Sequence, residues 1–159
     1  MRMTGRFGFL AAGLMAAALA ACTTDATAPS PVRQVVSTTS FGMCVGYCST
    51  RLELSESGAV LVRSSRGGRG GATLPDQRFT AALSASEWQE IAQLAATARI
   101  AALPDTIGCP DCADGGAESL TIAGATARTI TFEHGARIEE AQPLLERVRA
   151  LRTQLTPAE

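Results

Sequence analysis

The N-terminal stretch that ends at Cys22 constrains the fold most, because it decides how much of the chain is left to fold. Arg2 and Arg6 precede an uncharged, mostly apolar run over 7–21, which stops directly before Cys22. A short positive segment, an apolar stretch and small residues at its end are typical of an export signal. The run is shorter than the roughly 20 apolar residues that a membrane-spanning helix needs. We therefore predict that residues 1–21 are a signal peptide.

The residues before the predicted cleavage point, Leu19-Ala20-Ala21-Cys22, resemble the bacterial lipobox at 19–22. The resemblance implies a bacterial lipoprotein with diacylglycerol on the Cys22 sulfur and an acylated amine, and more than one chain gives stable membrane anchoring. Thr23 is not the aspartate that retains some lipoproteins at the inner membrane, so the resemblance favours the outer membrane, facing the periplasm. An ordinary signal peptide, which would leave Cys22 as a free thiol, is the alternative.

Composition indicates a tether followed by one domain. Residues 22–40 are rich in Thr, Ser, Ala and Pro, which predicts a flexible tether, and 41–156 is long enough for a single domain with a core. Without Arg2 and Arg6, 12 of the 14 basic residues remain against 15 acidic ones. This balance, in an exported chain, argues against nucleic acid as a partner. The Arg- and Gly-rich segment 63–71 is therefore interpreted as a solvated loop rather than an RNA-binding tail.

Alternating apolar and polar residues predict two β-hairpins. Leu52 and Leu54 alternate with polar residues before a Ser57-Gly58 turn, and a second alternating pair of segments is joined around Gly124. A further strand is predicted before Ser84. The predicted strands lie at 51–55, 59–62, 78–83, 119–123 and 129–133.

Two helices follow from capping and periodicity. Ser84-Ala-Ser-Glu87 has the capping-box pattern, Trp88 lies on the apolar face of the helix it opens, and Pro104 ends that helix at the latest. Pro143 suits a first helical turn, and apolar residues then recur at helical spacing to Leu155.

These elements predict a two-layer α+β domain, with an antiparallel sheet of four or five strands and two helices on one face. Each half of the chain has a cysteine pair, then a hairpin, then a helix. That order makes a degenerate ββα duplication a hypothesis.

The cysteines after Cys22 form two close pairs, Cys44-Val-Gly-Tyr-Cys48 and Cys109-Pro-Asp-Cys112. An even number in an exported chain indicates disulfides, and three connectivities are possible. We favour local pairing because both spacings permit a bridge within a turn; crossed bridges are the alternative. A zinc site of four thiolates suits a reducing compartment better. Cys109 and Cys112 also have thiol-oxidoreductase spacing, although no helix is predicted after them.

The remaining polar candidates give no recognisable site. His134 stands beside Gly135 at a strand end, without a nucleophile motif, and is predicted to be a turn residue; a hydrolase using it is an alternative. Asp111, Asp114 and Glu118 could bind calcium through oxygen ligands, but we interpret them as turn carboxylates. We predict no catalytic residue, no cofactor and no metal site.

Cys44-Val-Gly-Tyr-Cys48, Leu52-Glu53-Leu54 and Glu56-Ser57-Gly58 are together similar to the opening of a bacterial envelope family known only as a domain of unknown function. The likeness extends over about 41–155, with Ser49 and Arg51 where the family has proline and an aromatic residue. It implies a small envelope α+β domain with an N-terminal cysteine pair, and it implies no activity.

The sequence therefore predicts a lipid-anchored envelope protein of unknown biochemical activity. It is expected to be a non-enzymatic binding or structural module whose sheet or loops contact another envelope component. The alternative is a periplasmic thiol-disulfide redox protein using Cys109 and Cys112. The oligomeric state is not predicted.

Overall fold

The computed structural model describes residues 31–66 and 73–157. The predicted signal peptide and Cys22 lie outside these residues, and so does most of the glycine-rich loop. Among the helices of the described ranges, none has the length and apolar character needed to cross a bilayer.

The described residues have an α+β fold, with one seven-stranded sheet and two α-helices. The strand order is β4-β3-β2-β1-β6-β7-β5, and every pairing is antiparallel except that of β5 with β7. The elements are β1 (Gln34–Ser40), β2 (Tyr47–Ser55), β3 (Gly58–Ser65), β4 (Gln77–Ala81), α1 (Ala85–Thr97), β5 (Thr106–Ile107), β6 (Ala117–Ala123), β7 (Ala127–Glu133) and α2 (Gln142–Leu155).

The prediction of four or five strands was too low, and β1 is the main reason. It lies within 22–40, the segment assigned to the tether, yet it pairs with β2 on one side and β6 on the other. Its serines and threonines look like linker composition, but threonine fits the pleated surface of a sheet well. The buried Thr39 hydroxyl bonds that of Thr50 at 2.7 Å, which satisfies it inside the fold. The folded region therefore begins before Phe41.

The strand β5 is the second strand that the sequence analysis did not predict. It has two residues and runs parallel to β7, with Thr106 beside Thr131 and Ile107 beside Phe132. A segment this short leaves no alternation for a sequence pattern to detect.

Both predicted helices are present. The Ser84 hydroxyl accepts from the Glu87 N–H at 3.2 Å and the Ser84 N–H donates to the Glu87 carboxylate at 2.8 Å, which confirms the capping box. Pro143 lies in the first turn of α2, as predicted.

One face of the sheet and both helices share a single hydrophobic core. Leu52 of β2 lies between Ser37 of β1 and Leu61 of β3 in the register, and Leu120 of β6 lies beside Ile130 of β7. The leucines and Ile130 pack with residues of α1 and α2, among them Trp88, which is buried as predicted. The helices therefore cover this face of the sheet.

The two ends of the sheet carry different loops. The loops 41–46 and 108–116 meet where β1 ends and β6 begins, because Ser40 pairs with Ala117, and the loop 73–76 leads into β4 at the same end. We call this the cysteine end. At the opposite end, which we call the N-terminal end, Val32 and Arg33 lead into β1 beside the turn at 124–126.

Candidate functional site

The two disulfides both lie at the cysteine end. Cys44 pairs with Cys48 and Cys109 with Cys112, each with a Cα–Cα distance of 5.5 Å. These are the local pairings favoured by the sequence. With all four sulfurs in bridges, the crossed connectivity and a four-thiolate zinc site are not what the structure shows. Local bridges stiffen single turns rather than joining distant parts of the chain.

Asp111 ties the two cysteine loops together. Its backbone is left-handed, with φ of 61°. One carboxylate oxygen, Oδ1, accepts from the Gly42 N–H at 3.3 Å and from the Gly116 N–H at 3.2 Å. The Asp111 N–H also donates to the Gly116 carbonyl at 3.1 Å. A side chain that bonds backbone groups of both loops fixes their relative position.

The second disulfide has an acidic surrounding. Cys109 and Cys112 are both exposed, and the Cys109 N–H donates to the Glu133 carboxylate at 3.1 Å. Cys112 opens a turn of only three residues, Cys112–Asp114, and the chain then continues into β6. A redox-active cysteine needs a stabilised thiolate, which a helix N-terminus or a cation provides and neighbouring carboxylates oppose.

His134 has a packing role at the same end. It lies in the turn after β7, as predicted, and its ring meets that of Phe41 edge-on, with 4.9 Å between the ring centroids. Its backbone N–H donates to the Gly116 carbonyl at 3.0 Å. The first cysteine loop therefore begins at a packed contact, which is formed by Phe41, His134 and Gly116.

Exposed apolar side chains concentrate at the cysteine end. Val45 is 100% exposed, Met43 76% and Leu74 40%, and among the described residues these are the large hydrophobic side chains that face solvent. Tyr47 holds the loop of Leu74 in place, since its hydroxyl donates to the Pro75 carbonyl at 3.0 Å. We call these three residues the apolar tip; Met43 and Val45 lie on the loop closed by the Cys44–Cys48 disulfide, whereas the loop of Leu74 is held by Tyr47.

A buried ionic cluster lies between β6 and α2, close to the cysteine end. The sequence analysis did not predict it. Glu118 of β6 is 1% exposed. Arg149 of α2 reaches both of its oxygens, with Nη2 at 2.8 Å from Oε2, and Arg152 donates to Oε1 at 3.1 Å. Arg152 also contacts the hydroxyl of Ser37, and the Gly135 N–H donates to Oε2 at 3.3 Å. The cluster thus joins β1, β6 and α2.

The protonation of Glu118 follows from these contacts. Burial of the Glu118 carboxyl by itself raises its pKa. The hydrogen bonds from Arg149 and the charges of both arginines outweigh burial, so the pKa lies below its ordinary value of 4.5. Glu118 is therefore an ionised, fully paired group, which suits a structural role.

The three carboxylates considered for calcium do not converge. Glu118 faces the arginines under α2, Asp111 bonds two backbone N–H groups, and Asp114 is exposed. Within 31–66 and 73–157, no set of three or more His, Cys, Asp or Glu residues is arranged to hold a metal ion.

No protein-family model matches the chain, and no curated protein matches it. The likeness to the Cys-x-Gly-x-Cys envelope family therefore stays a prediction based on the residues quoted above.

Proposed function

We propose that the protein is a lipid-anchored envelope module that is not an enzyme and that binds another envelope protein through the cysteine end. The observation that carries the proposal is the apolar tip. Met43 and Val45 face solvent on a loop fixed by the Cys44–Cys48 disulfide and by Asp111, and Leu74 faces solvent on a loop that Tyr47 holds. The proposed lipid on Cys22 would hold the protein at the membrane of the cell envelope.

The energetics of the tip favour a binding role. Covering a side chain such as Val45 is worth about 1.5–3 kcal/mol, so a partner with an apolar pocket would gain from each tip residue. Loops that are already ordered lose less conformational entropy on binding than flexible loops do. The Cys44–Cys48 bridge and the Asp111 hydrogen bonds provide that order before any partner arrives.

A photoreactive amino acid in place of Val45 should cross-link to a protein in intact cells. The matched control is the same amino acid in place of Glu56, which is exposed in the turn at the N-terminal end. We expect a discrete adduct from position 45 and none from position 56, and Met43→Asp should weaken the adduct. Equal labelling at both positions, or none at 45, would contradict a binding surface at the cysteine end.

A thiol-disulfide redox protein is the second candidate, because Cys109 and Cys112 are both exposed and so accessible to a dithiol. The Glu133 carboxylate, which accepts from the Cys109 N–H, argues against it, since a neighbouring negative charge disfavours a thiolate. We expect a reduction potential below about −300 mV, the range of structural disulfides. The potential is measured by equilibrating the chain with dithiol buffers and trapping free thiols. A clearly higher value would favour the redox function.

Three further expectations belong to this proposal. The outer membrane, facing the periplasm, is the proposed location because Thr23 follows Cys22. Membership of the Cys-x-Gly-x-Cys family rests on its opening motif. A ββα duplication is supported by the placement of the hairpins β2–β3 and β6–β7 on opposite sides of β1.

A further inference from the structure

An apolar groove opens at the N-terminal end of the domain, away from the apolar tip. Its volume is about 320 Å³, at the lower end of the range of about 300–1,000 Å³ that is typical of small-ligand sites. Val32, Ile100 and Ile122 are the larger apolar residues among its buried or half-buried lining, and exposed alanines of three different segments form the rim. Those alanines are Ala96, Ala101 and Ala125.

The chain itself places this groove beside the membrane anchor. Pro31, the first described residue, is part of the groove wall. Nine residue steps separate Pro31 from Cys22 in the sequence. At full extension they span only about 30 Å, at about 3.4 Å for each residue. A lipid on Cys22 therefore keeps the groove within that distance of the bilayer.

The composition of the groove suits hydrocarbon more than a polar ligand. The charged residue in its wall is Arg128, which pairs with Asp105, and none of the described lining residues is acidic. Arg33 is exposed next to Val32. The Arg128–Asp105 pair is neutral as a whole, and the exposed Arg33 beside the groove is attracted to a negatively charged bilayer.

We propose that this groove docks on the anchoring bilayer and takes an acyl chain of its phospholipid. The inference rests on the proposed lipid anchor at Cys22. With the N-terminal end on the membrane, the cysteine end at the far end of the strands points away from the bilayer, toward the partner.

The test uses the complete lipid-modified protein in vesicles of phosphatidylethanolamine and phosphatidylglycerol. A photoreactive diazirine amino acid replaces Ala125 at the groove rim, or Val45 at the apolar tip as the matched control. Mass spectrometry then identifies phospholipid adducts and, in the same samples, the lipid on Cys22. We expect phospholipid adducts at position 125 and none at 45. Ala96→Glu should reduce the yield at 125 severalfold, whereas Ala96→Gln should reduce it less.

The outcomes separate this inference from the proposed function. A lipid on Cys22 without phospholipid adducts at 125, or with equal yields at 125 and 45, would overturn the groove proposal and leave the anchor intact. Adducts at 125 to a second copy of the chain would overturn it as well. An unmodified Cys22 would overturn both. Circular dichroism of the Ala96 variants checks that a lower yield is not a loss of fold.

Discussion

Glu118→Gln should lower the free energy of unfolding by about 3–5 kcal/mol, the cost of breaking a buried ion pair by removing one partner. Arg149 and Arg152 converge on this carboxylate, and both are largely shielded from solvent. A glutamine keeps the shape of the side chain but leaves two guanidinium groups without a buried counter-charge. Urea denaturation under non-reducing conditions measures the change.

The matched control is Glu90→Gln on α1. Glu90 is mostly exposed and lies 3.7 Å from Arg147. Exposed pairs of this kind contribute up to about 1 kcal/mol. A loss in Glu118→Gln no larger than in the control would mean that the arginines find water or other acceptors, and the cluster would then not hold β6 to α2.

The same variant should change the acid stability of the protein. The pKa of Glu118 in the folded state is lower than its ordinary value of 4.5. Its contribution to stability is therefore fully present above 4.5 and is lost as the pH falls through the lower, folded value. In Glu118→Gln this titration is absent, so denaturation curves between neutral and acidic pH should show a shallower dependence on pH than those of the wild type.

Local signals in the sequence were enough to find most of the elements. The capping box of Ser84 and Glu87 is a contact between residues three apart, and the hairpins follow from alternation on either side of a short turn. Local cysteine spacing likewise favoured the pairings found. In contrast, β1 is specified by partners on both sides, Leu52 and Leu120 beside Ser37, which are remote in sequence. Its valines and threonines favour a strand, but its serines and threonines also fit a linker, so composition alone did not decide between the two.

The ionic cluster was missed because its members were read separately. Glu118 was grouped with Asp111 and Asp114, its neighbours in sequence. Yet Glu118 shares the face of β6 with Leu120, so alternation already placed an acid on the core side of a strand. Arg149 and Arg152, three apart on α2, share a helix face and are suited to meet it. A carboxylate at a core position requires such partners, and that requirement was the available signal.

Gly116→Ala should be similarly damaging, through packing at the base of the cysteine end. Gly116 has a φ of 84°, which costs an L-residue about 1–2 kcal/mol. A Cβ there would also overlap the ring of Phe41, and overpacking adds about 1–3 kcal/mol. We expect a lower urea midpoint. We also expect a lower cross-linking yield at position 45, because Phe41 is the first residue of the loop that carries Val45.

Gly135→Ala separates the backbone cost of a positive φ from the cost of the overlap with the Phe41 ring. Gly135 also has a positive φ, 77°, but a Cβ there meets no atom within 4 Å, so the expected loss is only the backbone cost of about 1–2 kcal/mol. The difference between the two variants measures the contact with Phe41. If it is close to zero, the Phe41 ring moves aside without cost and the first cysteine loop is not held by this packing. Asp111 and the Cys44–Cys48 bridge would then be what positions Val45.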